Sequence, residues 1–153
     1  MAITEAQLRD RLGRFILISN LAFGGLIVIY YLARGFTDEE FVELLKIIVP
    51  IKAAYLTALT RFVVANRNVV EPKEDDSLQV NALFASTSFI MITVHISSLI
   101  VAVSLYALFN SMEFDSLKNI ILGLETFFGV YVGLIIASMF RVDNEQNKNP
   151  NEN

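Results

Sequence analysis

Lys46, Lys52 and Arg61 lie inside one long apolar stretch, and His95 and Glu125 lie inside two others. An ionised side chain in hydrocarbon costs a few kcal/mol on insertion scales and more in simulations. Each of these groups therefore needs a partner, water or a route to the interface. At about 1.5 Å per helical residue, Lys52, His95 and Glu125 fall near the middle of their stretches and could meet inside a bundle. Such a trio is either a buried ion pair that fixes helix register or a site where a proton is held. His95 is the only histidine, so no imidazole cluster can bind a metal.

The stretch that holds Lys52 has a second feature. At about 100° per residue, Glu43, Lys46, Pro50, Ala53, Ala54, Thr57, Thr60, Arg61, Val64 and Asn68 share one stripe, polar or small nearly end to end. Lys52 points the opposite way, where pairing with Glu125 would account for it. A helix touching only lipid would not keep such a stripe, so it lines water or packs in protein. Glu43, Lys46, Pro50, Thr57, Thr60 and Arg61 are the pore-lining candidates. Pro50 removes a backbone hydrogen bond and predicts a kink. The rival face carries Ser86, Thr93, Ser97 and Ser104, a hydroxyl seam suited to helix packing or to a hydrated lining. Gly24, Gly25 and the Gly129-x-x-x-Gly133 pair are the candidate positions of close helix packing.

The elements that must position these residues are four apolar stretches, at 15–33, 41–65, 81–108 and 116–140. A span needs about 20 mostly apolar residues, so all four qualify. The expected fold is all-α, an integral membrane four-helix transmembrane bundle over 15–141. An amphipathic segment at 1–14 precedes it, and a disordered tail at 142–153 follows. The first segment lies on the membrane surface, folds against the bundle base or simply extends the first helix; Thr4 and Gln7 have capping-box spacing. Thr37 and Glu40 have the same spacing, so the second span should start sharply after a short turn. The loop after it, with Glu71, Pro72, Lys73, Glu74, Asp75 and Asp76, is hydrophilic. It is either solvated surface or an acidic vestibule or docking segment.

Composition narrows the function classes. Residues are 54% apolar and 18% charged, against about 25% charged in soluble domains, and mean hydropathy is +0.53. There is no cysteine, hence no disulfide, thiolate metal site or cysteine nucleophile. The net charge of −4 argues against binding nucleic acid by bulk electrostatics. No phosphate-cradling loop, HExxH or nucleophile elbow is present, so an enzyme or a cofactor site is not expected. Arg61 with Asn68-Val-Val-Glu71 resembles the basic–Asn–x–x–Glu signature of four-helix membrane glutathione-transferase and eicosanoid enzymes. That motif lies inside a span; here it ends one, and the resemblance is set aside.

Lys and Arg in the flanks set orientation. Arg9, Arg11, Arg14, Arg67, Lys73, Arg141 and Lys148 lie on one side, against Arg34 and Lys118 on the other. Both termini and the middle loop should therefore be cytoplasmic. The main expectation is a homo-oligomeric channel or pore, a tetramer around the second-span stripe, gated by a cytoplasmic signal or partner. The alternative is a non-conducting anchor or sensor subunit for a soluble cytoplasmic protein. In length, span count and sidedness the chain resembles the small four-helix membrane subunits of bacterial anti-phage systems. That resemblance implies an inner-membrane location, and a soluble partner that senses infection while the membrane subunit permeabilises or anchors. It carries over no individual residue.

Overall fold

A computed structural model of the chain describes residues 5–65 and 82–140, without the side chains at 5, 6, 9, 58, 59, 61–65, 82 and 132–140. The middle loop and the tail at 142–153 lie outside the described residues. Those described form four helices and no strand: α1 (Glu5–Leu32), α2 (Asp38–Ala65), α3 (Ala82–Phe109) and α4 (Phe114–Phe140). The first three have 28 residues each and the last 27, so each is about 40 Å long. α1 runs without a break through residues 14 and 15, so residues 5–14 form its first turns, while Thr4 and its capping spacing lie outside the described residues. Leu8 and Leu12 there are buried in the core.

α1 with α2, and α3 with α4, are antiparallel hairpins closed by tight turns. In the first, Arg34 adopts φ 62° and Gly35 donates its N–H to the Tyr30 carbonyl at 2.8 Å. Asn110 does the equivalent work in the second, with φ 46° and an N–H bond to the Tyr106 carbonyl. A left-handed residue that ends a helix in this way satisfies carbonyls of its last turn. Gly35 has a further reason to be glycine: a Cβ there would come within 2.9 Å of Ala107 on α3. The capping box at the start of α2 forms, with Thr37 N–H bonded to Glu40 Oε2 at 2.8 Å and Glu40 N–H to Thr37 Oγ1 at 3.3 Å.

The two hairpins lie side by side and point the same way. Phe15 meets Phe89 and Tyr30 hydrogen-bonds Ser104, both pairs 74 residues apart (89 − 15 and 104 − 30), so α1 and α3 are parallel neighbours in constant register. Glu43–Lys118 and Lys52–Glu125 make α2 and α4 parallel neighbours in the same sense. Among the described residues the backbones of α1 and α4, and those of α2 and α3, do not come close. Around the bundle the order is therefore α1, α3, α4, α2, with both turns at one end.

Two apolar clusters form the core. Toward the turns lie Phe23, Ile27, Leu44, Ile48, Leu99, Val103, Leu117 and Ile121; toward the other end lie Leu8, Leu12, Ala85, Ile92 and Phe128. The exterior is apolar as well, with Ile18, Leu21, Ile29, Leu83, Ile90, Val101, Phe127 and Val130 exposed. Helices that are apolar on all sides are built for a surrounding that is itself apolar. Two of them, over Asp10–Leu32 and Leu83–Phe109, are long and apolar enough to cross a membrane.

Glu40 ties the turns together. Its carboxylate accepts the Thr37 N–H and the Tyr106 hydroxyl from α3, and Tyr106 stacks on Phe36 at 5.4 Å. Burial pushes the Glu40 carboxyl up, but hydrogen bonds from Thr37 and Tyr106 outweigh it and hold it below the ordinary 4.5. A depressed folded value adds stability that is full above the ordinary value and is lost as pH falls through the folded one. The gap in unfolding temperature between the native chain and Glu40→Gln should therefore stay constant above about pH 5 and close on further acidification. A gap independent of pH between 3 and 7 would remove this role.

Candidate functional site

Each helix places one polar residue at the boundary between the two apolar clusters. Asn20 lies between Ile16 and Phe23, Lys52 between Ile48 and Tyr55, His95 between Ile92 and Leu99, and Glu125 between Ile121 and Phe128. The spacing is three or four residues throughout, so on every helix the polar group falls on the inward stripe that the apolar residues define. The result is a polar layer across the middle of the bundle.

Glu125 is its centre. Lys52 Nζ sits 2.5 Å from Glu125 Oε1, and His95 Nε2 lies 3.6 Å from Oε2. The Glu125 side chain is 0% exposed, His95 5% and Lys52 11%. The 3.6 Å approach exceeds hydrogen-bond range; what holds His95 is Phe128, on which its ring stacks at 3.9 Å and 6°. The Lys52 ammonium also lies 5.6 Å from the Phe23 ring and 5.5 Å from that of Tyr55. These faces favour a cation in a dry surrounding. Asn20 shares the level, because the 74-residue register of α1 and α3 sets it beside residue 94. Its Nδ2 donates to the Ile16 carbonyl at 2.7 Å.

Tyr55 and Gly129 brace the centre. The Tyr55 hydroxyl donates to the Glu125 backbone carbonyl at 3.1 Å. It can do so because Gly129, one turn on, leaves room: a Cβ there would lie 3.3 Å from the hydroxyl oxygen. Gly129 thus leaves room for an interhelical hydrogen bond. Gly133 and Arg61 have side-chain positions outside the described residues. Gly24 and Gly25 meet nothing within 4 Å on their Cβ side, so within this unit they pack against no helix.

The structure brings Lys52, His95 and Glu125 together and leaves the second-span stripe on the outer face of α2. Glu43 pairs across to Lys118 at 2.8 Å, and Lys118 also holds Asp115 at 2.7 Å. Lys46, Pro50, Ala53, Ala54, Thr57 and Thr60 are exposed on the outside of α2. The helix continues through Pro50. Thr57 and Thr60 donate to the carbonyls of Ala53 and Leu56, each at 2.8 Å. On α3 Ser86 and Thr93 bond their own helix too, while Ser104 bonds Tyr30 of α1. Hydroxyls satisfied in this way tolerate an apolar surrounding. Asn20, Tyr55 and Lys118 were not singled out as partners by the sequence; the apolar neighbours three and four residues from Asn20 are the pattern that marks it. Among the described residues no group of His, Asp and Glu is arranged to hold a metal ion.

No protein-family model, curated protein or solved structure matches the chain. The geometry has to be interpreted from its own chemistry.

Removing one member of a buried pair leaves the other charge unmatched, typically at 3–5 kcal/mol. Glu125→Gln should therefore lower stability by about that much, and Lys52→Met in the same chain should restore most of it. Additive losses in this cycle, read by unfolding in mixed micelles, would show that the two groups are not coupled. A second cycle addresses the brace. Gly129→Ala should cost about 1 kcal/mol by displacing the Tyr55 hydroxyl, and should cost much less in a Tyr55→Phe background. An equal cost in both backgrounds would place the effect elsewhere.

Proposed function

We propose that the chain is a multi-pass protein of a bacterial inner membrane, with all four helices crossing the bilayer and both termini cytoplasmic. Copies of it assemble into a closed ring, a tetramer, whose α2 faces form a channel. The observation that carries this reading is the outer face of α2. Lys46 is exposed there, no ion pair holds it among the described residues, and Pro50 deprives the Lys46 carbonyl of its usual N–H donor. A free ammonium and an under-bonded carbonyl together are costly against lipid. A symmetric ring supplies either protein or water to that face in every copy at once.

Two further observations support the membrane placement. The turn end is rich in aromatic rings, with Tyr31 stacked on Phe41 at 4.1 Å, Phe36 on Tyr106, and Phe109 exposed. Such rings favour the headgroup level. Two charges of α2 are paired with two of α4, as Lys52–Glu125 and Glu43–Lys118. Rings of Lys46 and Arg61 would favour anions, and the Glu43–Lys118 pair takes Glu43 out of that competition. A soluble cytoplasmic protein or signal then gates the channel from the side that holds the termini and the middle loop.

A non-conducting anchor for a soluble partner is the second reading, favoured by Thr57 and Thr60. Their hydroxyls bond their own helix and need no water. Native mass in lipid nanodiscs and ion flux from liposomes separate the two. A closed oligomer that conducts is the channel result; a monomer without flux removes it. In a conducting oligomer, Lys46→Glu or Arg61→Glu should move the reversal potential toward cations, since a ring multiplies each substitution by the number of subunits. Arg14→Glu, off the stripe, should do much less. Unchanged selectivity in both stripe variants would exclude α2 as the lining.

A further inference from the structure

The polar layer carries an inference separate from the α2 face. Three of its atoms are buried and complete no hydrogen bond, Asn20 Oδ1, His95 Nε2 and Glu125 Oε2, while Lys52 Nζ and Glu125 Oε1 are held to each other. Buried polar groups are hydrogen-bonded as a rule, and here three without a partner gather at one level. Their chemistry is lopsided. A carboxylate accepts at about four lone-pair positions, and the Asn20 oxygen adds an acceptor that its own amide group, spent on Ile16, cannot serve. Against these stand the Lys52 ammonium, whose one close contact is with Oε1, and the His95 ring, whose Nε2 at 3.6 Å is too far to bond Oε2 directly.

No neighbouring side chain makes up the shortage of donors. Phe23, Phe128, Ile48, Leu99 and Ile121 have no polar hydrogens, and the Tyr55 hydroxyl is committed to the Glu125 carbonyl. The missing donors must come from a small molecule. An anion would add acceptors to a site that already has too many, and a metal cation would be repelled by the Lys52 ammonium. A neutral molecule with two donors and little bulk satisfies the inventory.

We propose that the layer is a water-binding site inside each four-helix unit, formed by Asn20, Lys52, His95 and Glu125. The water donates to Glu125 Oε2 and to Asn20 Oδ1, and accepts from Lys52 or from the His95 ring. Lys52, less buried than His95 and Glu125, marks the edge by which water enters. The site does not depend on how many copies assemble or on whether they conduct. It gives the bundle core one hydrated level between two dry ones.

The single histidine makes the test clean, because its ring signals belong to His95 alone. The full chain, labelled with ¹⁵N and ¹³C in phosphatidylcholine bilayers, is followed by solid-state NMR as magnetisation spreads from water into protein. Water should reach the His95 ring about threefold sooner than Leu99 and Ile121, the buried apolar residues beside the layer, and nearly as soon as the exposed turn at Arg34. A His95 ring that lags with Leu99 means a dry layer and overturns the proposal. The folded triple variant Asn20→Leu, Lys52→Met, Glu125→Gln should lose the early signal; an early signal that survives there also overturns it. If that variant fails to fold, the native chain decides the matter alone.

Discussion

The contact between Lys52 and Glu125 is the constraint on which the arrangement of the helices turns. A buried carboxylate with no counter-charge is far costlier than any single apolar contact, so α2 and α4 must meet at one level and in one register. The second pair between the same helices, Glu43 with Lys118, has the opposite polarity. Sliding α2 along α4 until Glu43 reached Glu125, or Lys52 reached Lys118, would set like charges together. Two pairs of reversed sign therefore specify a single alignment, which apolar packing alone would leave degenerate. The α1–α2 turn then has to pass close to α3, and Gly35 against Ala107 is where the backbone accommodates that approach.

The rest of the structure fits an apolar surrounding. In lipid there is no hydrophobic drive between helices, so association depends on packing and on interhelical polar contacts. The structure supplies such contacts at every level: Glu40 with Tyr106 near the turns, Tyr30 with Ser104 below them, the polar layer at the middle, and Tyr55 on the Glu125 carbonyl just beyond. The exposed hydroxyls return to their own helices. That combination is what a bundle needs where its outer surface cannot hydrogen-bond to solvent.

Much of this was legible in the residues. The number of helices follows from the length and spacing of the apolar stretches. The sharp start of α2 follows from Thr37 and Glu40, and the shared depth of Lys52, His95 and Glu125 from a fixed rise per residue. Which helices are neighbours was not legible, because periodicity tells which face of a helix turns inward and not what it meets there. Glu43 illustrates the gap: on the helical wheel it belongs to a polar stripe, yet its partner Lys118 comes from a helix 75 residues further on. Gly129 illustrates another. Its spacing to Gly133 points to close packing, but that spacing does not reveal the Tyr55 hydroxyl that lies beside it. The place of Asn20 in the layer was not legible, because the apolar residues three and four positions away show which face it is on and not what it meets there.

α2 carries charge on both sides, and that joins the two parts of the molecule that matter most for function. Its inner side holds Lys52 in the layer; its outer side presents Lys46 and Pro50. Lys46 and Lys52 are six residues apart, so they lie about 120° apart around one rigid element. Any rotation of α2 that carries Lys46 toward or away from a neighbouring copy must also swing Lys52 relative to Glu125. The buried pair resists that rotation with the cost of an unmatched charge. α2 therefore has a preferred angle set from inside the unit, and the groups that meet it from outside, whether another copy, water or a partner, meet a face whose orientation the polar layer has already chosen.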